Sequence, residues 1–343
     1  MPKGSKSFAS EPELVAWLKQ RARLHGRDVS AGIGDDAAVL RLGGAHRLLA
    51  TTDLSIEGVH FSAQFHPPHS VGYRALARAL SDIAAMGGTP RFALVSLALS
   101  RNQGRSWVEG FYRGFMALAR RFGVSLIGGD TAIVSGATTV DVVGLGAVKA
   151  PDVLLRSGAK PGDKIFVSGE LGLSATGLEA LKHAAGREGG RGEPGERVIR
   201  RALRAHLYPE PRCALGRFLA ERRLASAAID LSDGLSSDLH RLCHSSGVGA
   251  TLLAERIPAP APPSARKFKI TDRLDLALNG GEDYELLFTV PAGKADKIPR
   301  HFKNVPLSWI GEIGSKRSLR LINADGKELP LIPKGFDHFR TAR

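Results

Sequence analysis

The sequence predicts an α/β (α+β) fold made of two mixed α/β domains. Three observations carry this expectation. Segments with apolar residues at helical spacing alternate with short apolar runs, many of which end in glycine and an acid. The chain has 343 residues, room for two domains at roughly 100–200 residues each. A break near Ala150-Pro151 separates two halves, so the expected division is 1–150 and 151–343.

The elements follow in order. Residues 10–25 read as a helix, with Leu14, Leu18 and Ala22 on one face and Ser10 with Glu13 as a capping box. Residues 47–52 form a short strand ending in Thr51-Thr52-Asp53. Residues 70–86 form a second helix, with Val71, Leu76, Leu80 and Ile83 as its core face, stopped by Gly87-Gly88. The apolar run 92–99 is a buried strand. Residues 107–122 are a helix closed by Gly123, and 124–127 a strand ending at Gly128-Gly129-Asp130. Residues 138–148 add another strand. In the second half, 164–168 is a strand, 174–185 a helix, 186–195 an exposed loop, 211–222 a helix and 225–230 a strand. Ser232 is expected to open a further helix to about residue 245. Residues 257–263 are a proline-rich loop and 285–290 a strand.

Composition excludes several classes. Apolar residues make up 43% and charged residues 24%, which is ordinary for a globular protein. No apolar run approaches the ~20 residues of a membrane helix, and the N-terminus lacks the apolar core of a signal peptide. The two cysteines, Cys213 and Cys243, make no disulfide framework. A cytoplasmic protein is expected, with no membrane association. The net charge of +14 raises nucleic-acid binding as a rival class. However, the basic residues are scattered at helix-surface spacings with no basic tail, and no nucleic-acid partner is expected.

The acids are more informative. Gly34-Asp35-Asp36, Thr51-Thr52-Asp53, Gly128-Gly129-Asp130, Asp230-Leu231-Ser232-Asp233-Gly234 and Gly280-Gly281-Glu282-Asp283 all place a carboxylate beside small residues at the edge of an apolar element. Asp82 lies inside an apolar helix, where an unpaired carboxylate is costly. Singly, each segment is an ordinary turn. Together, acids at the ends of α/β strands converge at one sheet edge. Carboxylates so gathered repel one another unless a cation joins them. An all-oxygen donor set favours Mg²⁺ over zinc, and Mg²⁺ keeps positions open for phosphate oxygens. The reading is a phosphoryl-transfer site with several Mg²⁺ ions. Competing signatures are missing: there is no G-x-x-x-x-G-K-[ST] loop and no H-E-x-x-H. The formal dinucleotide match at Gly32-Ile33-Gly34 carries two carboxylates that would repel a bare pyrophosphate.

The segments GIGDDAAVL (32–40), TTDLSIEGVHF (51–61), ALSDIAAMGGTP (79–90), LIGGDTA (126–132), RSGAKPGD (156–163), IDLSDGLSSDL (229–239), NGGEDYELLFTV (279–290) and KGFDHF (334–339) occur in one order over nearly the whole chain. As a set they resemble the thiamine-monophosphate kinase family, within the aminoimidazole ribonucleotide synthetase-like ATP-binding superfamily. Other members are less similar. Selenophosphate synthetases carry a reactive Cys or selenocysteine near the N-terminus, and the maturation protein that dehydrates a carbamoylated thiol carries a C-terminal Cys. Neither feature is present here.

The resemblance implies ATP-dependent phosphorylation of thiamine monophosphate to thiamine diphosphate. It also implies an N-terminal ATP/Mg-binding domain that dimerises with its copy, a C-terminal α/β domain, and an ATP cleft between them. Carried over by motif, Asp36, Thr51, Thr52, Asp53, Asp82, Asp130, Asp230 and Asp233 match metal positions. Gly129, Asp130, Arg156 and Ser232 match ATP contacts, and His60, Glu282 and Phe336 match substrate contacts. The acceptor is already a phosphate, anionic near neutral pH, so no general base is expected beyond the clamp of Asp53, Asp130 and Arg156.

Overall fold

The computed structural model describes residues 13, 15–16, 28–41, 43–185, 197–260 and 272–335. The expected helix 10–25 falls almost entirely outside these residues, as do the loop 186–195 and Phe336.

The first half builds a six-stranded sheet from β1 (Val29–Ala31), β2 (Ala38–Leu40), β3 (His46–Ile56), β4 (Thr89–Ser100), β5 (Ser125–Val134) and β6 (Thr139–Lys149), in the order β1-β2-β3-β6-β4-β5. Two helices, α1 (Pro68–Ala85) and α2 (Arg105–Phe122), cover one face. Helix α1 opens on Pro68, whose fixed φ suits a first helical position. Helix α2 closes on Gly123 in the left-handed conformation, φ 67°. The two helices touch backbone to backbone. A Cβ on Gly114 would lie 1.7 Å from the His69 carbonyl oxygen, and one on Gly72 1.9 Å from that of Phe111.

Period-2 alternation decides what each strand offers. Along β3, Leu49, Thr51, Asp53 and Ser55 point toward α1, while Thr52 and Leu54 point to the opposite, uncovered face. The uncovered face and the β5 edge leave Leu54, Phe92, Ile127 and Ile133 exposed.

The second half contributes α3 (Leu173–Ala185), α4 (Arg197–Leu207), α5 (Cys213–Glu221), α6 (Leu235–Ser246) and α7 (Arg273–Asn279). Its strands are β7 (Lys164–Ser168), β8 (Ala227–Leu231), β9 (Gly249–Leu253), β10 (Glu285–Val290), β11 (His301–Phe302), β12 (Val305–Gly314), β13 (Leu319–Ile322) and β14 (Glu328–Pro330). They form a sheet in the order β14-β13-β9-β12-β7-β10-β8, with β11 beside β12. Strands β7, β8 and β10 are buried along nearly their full lengths because both faces are covered. Phe166, Ala228, Leu286 and Phe288 join the core that contains α1, while Ile165, Val167, Ile229 and Leu287 join a second core under α6. Helix α1 therefore lies between the two sheets. Among the described residues no helix is long and apolar enough to cross a membrane.

Two expectations need correction. The strand expected to end at Gly128 continues to Val134. A bulge between Ala93 and Leu94 of β4 absorbs one extra residue of β5. Gly129 then runs at φ 153°, where a Cβ would strike the Val95 carbonyl oxygen at 1.9 Å. The second concerns Ser232, which does not begin a helix. Helix α6 begins at Leu235 after Gly234, φ 105°.

Candidate functional site at the α1 cleft

Helix α1 carries Arg74, Arg78 and Asp82 at four-residue spacing, which stacks them along one stripe. This stripe faces the ends of β8 and β10, and the polar residues of both halves meet on it. Carboxylate oxygens of Asp36, Asp82 and Asp230 lie within 4.8 Å of one another. Asp36 precedes β2, Asp82 sits on α1 and Asp230 on β8, so both sheets contribute. Burial pushes the Asp82 and Asp230 carboxyls well above the usual range, and the neighbouring negative charges add to it. Asp35, beside Asp36, is pushed up to about 6, first by burial and then by the Asp36 charge.

Hydrogen bonds hold this cluster from its rim. The Thr51 hydroxyl donates to Asp82 Oδ2. Arg156 forks onto Asp36, with Nη2 at 2.8 Å from Oδ1 and Nε at 3.1 Å from Oδ2. The Arg156 backbone N–H donates to Asp35 Oδ1 at 3.2 Å. Asp53 faces Arg78, whose Nε lies 3.4 Å from Oδ1. The other oxygen, Asp53 Oδ2, is buried with no hydrogen-bond partner among the described residues, and neither has the Ser81 hydroxyl. Orphaned acceptors are rare in folded proteins. An all-oxygen donor set with a spare buried carboxylate oxygen fits a hard divalent cation.

The other expected residues are placed as follows. Thr52 points away from Asp82 and donates to Asp141 Oδ1 at 2.6 Å. Asp130 lies on the exposed edge strand β5, where its Oδ1 accepts the Thr131 N–H at 2.8 Å. Register pairs Asp53 with Val142, Val142 with Val95, and Val95 with Gly129. Gly129 and Asp130 are therefore three strands from Asp53, roughly 14 Å across the sheet. Asp233 pairs with Arg241, which also reaches Asp238 at 2.7 Å. Asp238 accepts the N–H groups of Asp233 and Gly234 at 3.0 and 3.1 Å, so those donors are turned inward. The Ser232 carbonyl accepts the Glu282 N–H at 2.7 Å.

Glu282 lies at the far end of the stripe. It sits at φ 57°, and Tyr284 at φ 51°, a left-handed geometry that costs a non-glycine residue about 1–2 kcal/mol. Hydrogen bonds to Ser232 and Leu231 hold the turn in place. Strain held by surrounding structure is a feature of binding sites. Arg74 Nη2 donates to Glu282 Oε1 at 2.5 Å, and Arg74 also donates to the His206 carbonyl. The His60 carbonyl lies 3.4 Å from Arg74 Nη2. His60 Nδ1 accepts the Ile56 N–H at 3.0 Å.

Sequence reasoning missed Arg74, Arg78, Ser81 and the buried pair His66–His206. Imidazole Nε2 atoms of that pair are 2.9 Å apart, and His206 Nδ1 is 3.0 Å from the Ser174 hydroxyl. The Ser62 N–H donates to His66 Nδ1, so His66 carries its proton on Nε2 and donates to His206. The four-residue spacing Arg74, Arg78, Asp82 was a signal for the arginines. Nothing local pointed to His66 and His206.

Comparisons with known proteins converge on one family. The AIR synthase related protein family model matches with its N-terminal domain at residues 34–148 and its C-terminal domain at 160–323. The thiamine-monophosphate kinase of Bacillus subtilis (strain 168) is 34% identical over 96% of this chain and 99% of its own length. That of Escherichia coli (strain K12) is 37% identical over 96% and 98%. A solved structure described as AaThiL complexed with AMPPCP and TMP superposes with a TM-score of 0.81 at 30% identity, covering 97% of this chain and 99% of that one. The thiamine-monophosphate kinase structure from Stenotrophomonas maltophilia K279a gives 0.72 at 34% identity, covering 94% and 97%. Full-length identities above 30%, on a chain whose two halves match both domains of one family model and meet at a carboxylate cluster, have one meaning: the chain belongs to the thiamine-monophosphate kinase family.

Proposed function

We propose that this chain transfers the terminal phosphoryl group of ATP to the phosphate of thiamine monophosphate, forming thiamine diphosphate and ADP. The observation that carries the reading is the convergence of Asp36, Asp82 and Asp230 from both halves beside the unpartnered Asp53 Oδ2. Asp36, Thr51, Asp53, Asp82 and Asp230 would hold Mg²⁺ ions, with Thr52, Asp130 and Asp233 completing further sites. Bound Mg²⁺ would neutralise phosphate charge and align donor with acceptor.

The chain's own groups do the rest. Arg156, held by Asp36, presents a fixed guanidinium to ATP phosphate oxygens. Gly129, Asp130 and Ser232 are the other proposed ATP contacts, and His60, Glu282 and Phe336 the substrate contacts. The strained turn at Glu282 would aim its carboxylate at the cationic thiazolium ring. No general base is needed, because the acceptor oxygen is already ionised near neutral pH. The division into domains 1–150 and 151–343 belongs to this reading, as does a cytoplasmic location, supported by two unpaired buried cysteines.

A homodimer through the uncovered face of the first sheet is part of the proposal. Leu54 and Phe92 on that face, with Ile127 and Ile133 on the β5 edge, are exposed apolar groups of the kind that mark an interface. Asp130 stands three strands from Asp53 in one chain, so a second copy is the simplest way to bring it to a phosphate site. The test is turnover of ATP with thiamine monophosphate, with free thiamine as the control acceptor and light scattering for mass. Thiamine diphosphate from the phosphorylated acceptor alone, by a dimer, is expected. Equal turnover of thiamine, or no turnover, would refute the reading.

A further inference from the structure

Three arginines line the cleft, and two of them make charged hydrogen bonds to protein acceptors. Arg74 is held by Glu282 and the His206 carbonyl, and Arg156 forks onto Asp36. Arg78 is different. Its side chain is only 16% exposed, yet among the described residues its Nε makes no aligned hydrogen bond, only an ion-pair contact 3.4 Å from Asp53 Oδ1. Its Nη1 reaches the Ser55 hydroxyl at a long 3.5 Å. A guanidinium has five N–H donors in a fork suited to phosphate. Burying it this poorly satisfied is costly unless a ligand completes it.

Its position narrows the ligand. Arg74, Arg78 and Asp82 climb α1 in steps of roughly 6 Å. Glu282, the proposed thiamine contact, is at the Arg74 end, and the carboxylate cluster is at the Asp82 end. Arg78 stands between them, with Tyr284, Asp53, Glu282 and Asp82 as its charged or titratable surroundings. A substrate whose ring is held near Glu282 and whose phosphate faces the cluster must pass its phosphate by Arg78.

We propose that Arg78 recognises the acceptor phosphate of thiamine monophosphate and so sets the preference for the phosphorylated over the free vitamin. This rests on the function proposed above. The guanidinium offers Nε and Nη hydrogens to the acceptor phosphate, while Asp53, relieved of its long contact, is free for a cation. Phosphate of ATP is the other source of such an anion, and the two are separable by measurement.

The test is calorimetric titration of thiamine monophosphate, thiamine and a non-hydrolysable ATP analogue into wild type, Arg78→Met and Arg78→Lys, with Mg²⁺ present. Wild type should bind the monophosphate more tightly than thiamine. In Arg78→Met that ratio should fall roughly 10- to 100-fold, the worth of charged hydrogen bonds. Thiamine and ATP-analogue affinities should stay within about twofold. Arg78→Lys should recover part of the ratio, because an ammonium keeps the charge and loses the fork. Melting temperatures report folding for each variant. An unchanged ratio in Arg78→Met, or an equal loss of ATP-analogue affinity, overturns the proposal. Wild type that makes no thiamine diphosphate overturns the parent reading instead.

Discussion

The substitution Asp82→Asn separates the cost of the carboxylate cluster from its use. Asp36, Asp82 and Asp230 place oxygens within 4.8 Å. Two full charges at that distance repel by about 3.5 kcal/mol at an effective dielectric near 20. Proton uptake already relieves part of this, since the Asp82 and Asp230 carboxyls are raised well above their usual range. The carboxamide introduced by the substitution can still accept the Thr51 hydroxyl through its oxygen and donate to a neighbouring carboxylate through its nitrogen. The ion-free variant should therefore be as stable as wild type or more so, by about 1–2 kcal/mol, which corresponds to a few degrees in melting temperature. Wild type should gain about 2.7 kcal/mol at Mg²⁺ one hundred times its dissociation constant, and the variant should lose most of that gain together with activity. Differential scanning calorimetry with and without Mg²⁺ gives both numbers. A variant that melts lower without metal but keeps the full Mg²⁺ shift would refute the reasoning.

Burial lowers His66 to about 4 and His206 further, with the Arg74 charge adding to both. Free histidine titrates near 6.5, so between pH 6.5 and about 4 the unfolded chain binds more protons than the folded one. Stability is complete above that window and falls as pH drops through it; the double variant His66→Asn/His206→Asn should flatten the curve of melting temperature against pH there. Gly114→Ala puts a Cβ 1.7 Å from the His69 carbonyl, so α1 and α2 must separate. A loss of roughly 1–3 kcal/mol is expected in urea melts, and an unchanged midpoint would show that the close crossing is not required. In the kinase assay, Asp53→Ala should abolish transfer while far-ultraviolet circular dichroism stays at the wild-type signal.

The sequence by itself determined the two-domain α/β plan, because its signals are local. Strands β7 and β10 match the expected strands 164–168 and 285–290 residue for residue, since strands buried on both faces carry mostly apolar residues. Helices α1 and α2 were legible from their apolar stripes and glycine stops. Strand β12 was not, because its bulge between Trp309 and Gly311 breaks the alternation. Helix α4 was not, because only Ile199, Ala202 and His206 are buried and its arginines are exposed on the other side. The acids were legible as a class from their glycine and hydroxyl neighbours. Their grouping was decided by the tertiary structure, since distance across a sheet depends on strand order. Asp36, Asp82 and Asp230 meet although the first and last lie 194 positions apart in the chain. Asp130, in a similar local setting, is carried to the sheet's edge by the order β3-β6-β4-β5. The same long-range packing set Arg74 against Glu282 and left Arg78 short of partners, and no window of sequence contains that information.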